Sequence, residues 1–212
     1  MKRSLSMRVL SIQSVALALT LSMSPGIELA RAANGAGGTP GQSLDMVTVL
    51  RAASPSPALG DHANVMARLV GSWDVEYTDF RKDGTTLHRT GRLLFGWVVD
   101  GRVMQDVWIV DPWGSHAERE VYTDLFYFDP KAATWRAASV DPYEASVATF
   151  TGRVIGDDRL SLESQDLVPN ETRRWSYNDI RADSLVFRDE ASIDGGKTWR
   201  LSGEYRMKRR AE

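Results

Sequence analysis

From residue 72 to the end of the chain, apolar and polar side chains alternate with a period of two. Runs rich in β-branched and aromatic residues are separated by turn-forming clusters. The runs predict strands near 72–81, 85–98, 102–110, 118–128, 133–140, 145–155, 159–167, 171–180, 184–192 and 197–207. The breaks between them are turn chemistry: Lys82-Asp83-Gly84, Asp100-Gly101, Asp129-Pro130, Gly156-Asp157-Asp158 and Asp194-Gly195-Gly196. Most are of hairpin length, so consecutive strands should pair antiparallel. Just upstream, Val65, Met66, Leu69 and Val70 fall on one face of a short helix, with Asp61 placed to cap its start and Gly71 to stop it. So short a helix must pack across something. No second helical layer is available to cover an open sheet. The expected fold is therefore all-β, an antiparallel up-and-down barrel of about ten strands with a short N-terminal helix.

The Asp100-Gly101 turn fixes one register in detail. With that pair as the loop, Trp97 opposes Met104, Phe95 opposes Asp106 and Leu93 opposes Trp108. One face of the hairpin then carries Leu93, Phe95, Trp97, Met104, Asp106 and Trp108. The other carries Leu94, Val98, Val103, Gln105, Val107 and Ile109. Both faces are apolar, so one should line the barrel interior and the other be covered by the helix, the N-terminal segment or a second subunit of a homodimer.

The N-terminus follows a different pattern. Lys2, Arg3 and Arg8 precede an apolar stretch from Val9 to Met23, then Pro25-Gly26, then Ala30-Arg31-Ala32. A basic start, a short apolar run and an Ala-x-Ala site describe a secretory signal over residues 1–32, too short and too polar for a stable membrane span. The implied location is a bacterial periplasm or the medium. Residues 33–60, rich in Gly, Ser and Pro, read as a flexible linker, and 61–209 as the barrel domain.

Composition and charge exclude more than they identify. Hydrophobic content of 42% and charged content of 25% are those of an ordinary globular protein. Removing residues 1–32 takes away four basic and one acidic side chain, leaving 22 against 27, a net charge of −5. Nucleic acid is thus not an expected partner. Without cysteine there is no disulfide or thiolate metal site, and the three histidines, His62, His88 and His116, have no ligand spacing. No metal and no cofactor are expected, and no Gly-x-Ser-x-Gly or phosphate-loop motif is present. Ser192-Ile193-Asp194-Gly195-Gly196-Lys197-Thr198-Trp199 fits the Asp-box pattern of sialidase-like propellers, but a single copy reads as a structural hairpin in which Asp194 caps the turn.

Gly71-Ser72-Trp73, opening the first strand after a short helix, resembles the Gly-x-Trp entry of lipocalins and fatty-acid-binding proteins. With Val99-Asp100-Gly101-Arg102, the stretch from Leu69 to Asp79 is also similar to an uncharacterised bacterial family of calycin-like barrels. The resemblance implies a hollow barrel whose floor tryptophan, Trp73, packs against an arginine of the last strand, Arg206 or Arg209. Haem-binding barrels of the nitrobindin type place a histidine late in the chain, and none follows His116 here.

Three functional readings stay open. The first is an exported barrel binding a small, largely apolar ligand through Trp97, Gln105, Asp106, Trp108, Tyr122 and Arg136. The second is an enzyme of isomerase, cyclase or hydratase type, transferring protons through Asp106 or His116. The third is an interaction protein with a filled barrel. Asp106 stands out because its register sets a carboxylate among Trp97, Met104 and Trp108, where an ion pair with Arg136 would be the structural alternative. A desolvated carboxylate in a cavity would favour the enzyme.

Overall fold

The computed structural model describes residues 45–211. Residues 1–32, read from sequence as a secretory signal, and the first part of the Gly/Ser/Pro tract lie outside the described residues. Ten strands follow one another as expected: β2 Gly71–Phe80, β3 Thr86–Val98, β4 Val103–Val110, β5 Glu120–Asp129, β6 Thr134–Asp141, β7 Ser146–Ile155, β8 Arg159–Val168, β9 Glu171–Asn178, β10 Ser184–Ser192 and β11 Arg200–Arg209. Each pairs antiparallel with its sequence neighbour. β11 returns to β2, closing the sheet into a barrel.

The hairpin between β3 and β4 has the register that its Asp-Gly turn dictates: Leu93 opposes Trp108, Phe95 opposes Asp106 and Trp97 opposes Met104. Val99 (φ 51°), Asp100 (φ 53°) and Gly101 (φ 73°) all adopt the left-handed region, and the Gly101 and Arg102 amides donate to the Val98 and Val99 carbonyls at 3.1 and 3.0 Å, so four residues make the turn while the register is kept. The face bearing Leu93, Phe95, Trp97, Met104, Asp106 and Trp108 is buried and points into the barrel.

Residues 45–60, expected as linker, form local structure together with the first residues of the expected helix. α1 (Met46–Leu50) leads into β1 (Arg51–Ala52), which pairs with the end of β3. The Val99 amide donates to Leu50 and the Ser56 amide to Gly101, so this segment holds the hairpin tip. A 3₁₀ turn, Pro57–His62, then runs directly into α2 (Ala63–Leu69). Asp61 therefore sits inside that turn and does not cap α2; the cap position is His62. Nor does α2 cover the outer face of the β3–β4 hairpin. It plugs the barrel floor with Val65, Met66 and Leu69, all buried, while Leu94 on the outer face stays exposed.

The floor is locked by the pair that the Gly-x-Trp resemblance implied. Trp73 is fully buried and donates its indole N–H to the Leu69 carbonyl at 2.8 Å. Arg209, not Arg206, lies over its ring, 4.1 Å from guanidinium carbon to centroid. The same guanidinium donates to the carbonyls of Arg68 (2.7 Å), Val70 (2.6 Å) and Ala182 (2.5 Å). It thereby satisfies carbonyls that the end of α2 leaves open. Arg206 faces outward and pairs with Glu204.

The last strand begins at Arg200 rather than near 197 because Asp194 closes the preceding loop. Asp194 accepts from the amides of Lys197 and Thr198 and from the Thr198 hydroxyl. The Asp-box is here the turn element its single copy suggested.

Candidate functional site

Strand alternation divides the barrel interior into two halves. Near the floor, inward positions are apolar and close-packed: Val75, Leu93, Met104, Phe126, Leu160 and Met207 are all buried. Trp97 belongs to this filled half and lies below the open space. Towards the opposite end, the inward positions turn polar, and a cavity of about 500 Å³ opens there. Its walls include Trp108, Tyr122, Trp175, Phe187 and Tyr205, with Asp124, Ser139, Asp141, Glu144, Arg173 and Asp189 among them. A volume of this order accommodates a drug-sized molecule. A comparable hollow on the outer wall, about 540 Å³, lies over outward-facing residues of β7 and β8 such as Thr151, Arg153 and Ser161.

The boundary between the halves is a pair of carboxyl groups. Asp106 and Asp124 sit directly opposite each other on β4 and β5, 0% and 2% exposed. Asp106 Oδ1 accepts the Asp124 backbone N–H at 2.9 Å, and its Oδ2 accepts the Tyr177 hydroxyl at 3.3 Å. The Trp108 indole N–H bridges the pair, 3.2 Å from Asp106 Oδ2 and 3.0 Å from Asp124 Oδ2. Burial, reinforced by the Asp124 charge, holds the Asp106 carboxyl well above the usual range. Burial also raises Asp124, to about 6; the neighbouring Ser139 hydroxyl and Trp108 indole oppose that shift. The two carboxyls titrate as a pair rather than separately, and their burial favours keeping a proton on that pair. Of the two, Asp124 lines the cavity, and among the described residues its Oδ1 has no well-formed hydrogen bond.

Two ionic clusters stiffen the upper barrel. Arg89 holds Asp79 at 2.7 Å and stands 3.9 Å from Glu120, while the Tyr205 hydroxyl donates to Asp79 at 2.9 Å. Arg173 binds Asp189 and donates to Glu171 at 2.8 Å, and Lys82 reaches Glu171 at 3.5 Å. Burial lifts Asp189 to about 6 against the pull of Arg173.

The residues expected as a site divide as follows. Trp108 and Tyr122 line the cavity. Asp106 is inward but stands behind Trp108 and Asp124, among hydrogen-bond donors and not beside an arginine. Gln105 and Arg136 are corrections: both face outward. Gln105 sits on the odd-numbered face of β4 and donates to Thr123 at 3.0 Å; Arg136 pairs with Asp129 at 3.0 Å on the outer wall. His116 is in a loop bridged to Trp113, stacked on that ring at 4.2 Å and 53% exposed, away from the cavity. Trp175, which like Tyr122 and Arg136 lies on a strand whose facing the sequence leaves open, lines the cavity; sequence reasoning missed Asp124, Ser139, Asp189 and Arg173. Among the described residues no group of three His, Asp or Glu side chains is arranged to hold a metal ion.

No family model matches this chain, and no curated protein does. Solved structures share its fold. The crystal structure of Rv2717c from M. tuberculosis superposes with a TM-score of 0.53 at 13% identity, covering 74% of this chain and all of that one. The S-type phycobiliprotein lyase CPES from Guillardia theta superposes at 0.51 with 10% identity, covering 69% of this chain and 90% of that one. At such identities the likeness is one of fold. What is shared is the fold, a closed antiparallel β-barrel.

Proposed function

We propose that the barrel binds a small ring-bearing molecule in its upper cavity. The observation that carries this reading is the half-filled interior: the floor is sealed by α2, Trp73 and Arg209, yet about 500 Å³ above it stays open between five aromatic side chains. A barrel needing only stability would fill that space, because packed apolar contacts contribute where voids do not. The aromatic walls supply burial, and the carboxylates, Ser139 and Ser146 supply orientation, so the ligand is amphipathic rather than largely apolar. Native mass spectrometry of the gently purified protein, before and after denaturation, tests this. A stoichiometric small molecule lost on denaturation supports it. An apo mass, with no change in tryptophan emission across an aromatic fragment set, sinks it, since Trp108 and Trp175 line the cavity.

A second reading has its own observation. A carboxylate raised to about 6, with one oxygen free of well-formed hydrogen bonds among the described residues and lining the cavity, has the makings of a general base. In that reading Asp124 takes a proton from the bound molecule and Asp106, through the Trp108 bridge, positions it. Asp124→Asn would then abolish turnover of a bound substrate; retained turnover would remove Asp124 from any such role.

Export completes the proposal. It rests on the basic, apolar and Ala-x-Ala succession of residues 1–32. N-terminal sequencing of the protein recovered from cell fractions would find the chain starting after Ala32, or else at an initiating methionine, which would contradict export.

A further inference from the structure

We propose that the cavity ligand is an organic cation, a ring-bearing protonated amine whose charge is met by Asp124, Asp141 and Glu144. The inference rests on the cavity binding proposed above and names the class of molecule bound.

Four carboxylates and one guanidinium line the cavity. That guanidinium is already committed: Arg173 gives Nε and Nη2 to Asp189 and Nη1 to Glu171. The nearest other interior arginine, Arg89, is likewise spent on Asp79 and faces Glu120. Lys82 reaches in only as far as Glu171. An anionic ligand would therefore meet an excess of negative charge and no free cationic partner among the described lining residues.

What the lining leaves unmet is acceptor capacity. Asp124 is almost wholly buried, and among the described residues its Oδ1 has no well-formed hydrogen bond, the facing Ser139 hydroxyl only easing its charge. A buried carboxylate oxygen without a donor is costly, and an ammonium N–H would supply that donor in charge-assisted form. Nearer the mouth, Asp141 uses Oδ1 to accept the amides of Tyr143 and Glu144, and among the described residues no hydrogen bond engages its Oδ2 or the Glu144 carboxylate. The walls fit the same charge. Trp108 and Tyr122 stack at 5.9 Å with 12° between their planes, and Trp175, Phe187 and Tyr205 add further rings. Aromatic faces attract cations, and more strongly where water is excluded. A neutral ligand would exploit the rings but leave the Asp124 charge unanswered.

The test compares three probes on one scaffold with the full chain: 2-(naphthalen-2-yl)ethylammonium, the corresponding alcohol, and 3-(naphthalen-2-yl)propanoate. Binding is read by calorimetry and tryptophan emission. The ammonium should bind at least about tenfold tighter than the alcohol, and the carboxylate weakest of all. Asp124→Asn should bring the ammonium down to the level of the alcohol. Glu144→Gln, at an exposed position that does not threaten folding, should lower the ammonium preference about two- to threefold and weaken its salt dependence. If the alcohol or the carboxylate binds the unaltered protein as well as the ammonium does, the cation assignment is overturned while cavity binding stands. If none of the three binds, the parent reading falls with it.

Discussion

Asp124 concentrates the energetic tension of the site in one side chain. Its carboxyl titrates near 6 in the folded protein against 3.8 in an ordinary setting, because burial penalises the charged form. The folded state thus binds that proton more tightly than the unfolded state does. Stability from this group is greatest below about pH 4 and declines as pH rises towards 6. Carboxylates such as Asp194, drawn down to about 2 by the Thr198 hydroxyl and neighbouring amides, act in the opposite sense: what they contribute is present above about pH 4 and lost in stronger acid. The two trends separate in a comparison of urea midpoints at pH 4.5 and 7. Asp124→Asn should gain most at pH 7 and flatten the loss between those pH values; an unchanged pH slope would mean that Asp124 is not ionising in a desolvated place. Asp189, also raised to about 6, adds a decline of the same sign in both proteins.

The elements of the barrel were legible to the extent that local chemistry specifies them. Period-two alternation located the strands, and centring the turn on Asp100-Gly101 fixed a register, because any symmetric turn about that pair aligns the same flanks. Facing could not be carried past Ile109, because the connection from Asp111 to Arg119 is not a tight hairpin and its parity cannot be counted. This is why Arg136 was expected inside and Asp124 was not: Thr123-Asp124 on β5 reads like a solvent face until Asp124 is known to oppose Asp106. Gln105 had a different fault, since the choice between the two faces of β4 was itself open. Glycines were equally silent, although β3 contains a clean contrast. A Cβ at Gly91 would lie 2.0 Å from the Ile109 carbonyl oxygen, where the strands approach closely, whereas at Gly96 it would meet nothing within 4 Å. Gly91→Ala should cost several kcal/mol in denaturant melts and Gly96→Ala less than about 1 kcal/mol in either direction; similar costs would refute the close approach. At the floor, Arg209→Lys keeps the charge but cannot span the carbonyls of Arg68, Val70 and Ala182, so it should lose about 2 kcal/mol or more by the same measurement. Recovery of full stability by lysine would show that the clamp is merely electrostatic.

The whole molecule pairs a lower half built for cohesion with an upper half that stability alone does not explain. Closure satisfies the strand backbones, and the floor is apolar packing clamped by the Arg209 guanidinium. The Arg173–Asp189–Glu171 cluster sits where side chains are scarcely exposed, and a buried ion cluster generally returns little net stability after desolvation. Replacing it whole, with Arg173→Met, Asp189→Leu and Glu171→Leu together, should leave the barrel as stable as before or more stable by about 1–4 kcal/mol. Lys82, whose side chain is 76% exposed, would simply return to solvent. Arg173→Met alone should instead lose about 3–5 kcal/mol at pH 7, because Asp189 and Glu171 would stay buried without their cation. Urea denaturation of the two variants decides between a cluster kept for cohesion and one kept for the cavity. A triple variant that gains stability while its affinity for the naphthyl ammonium changes would mean that the charges in the upper barrel are maintained against the interest of the fold, for the sake of what enters it. A triple variant as damaged as the single one would place the cluster among the elements that hold the barrel together.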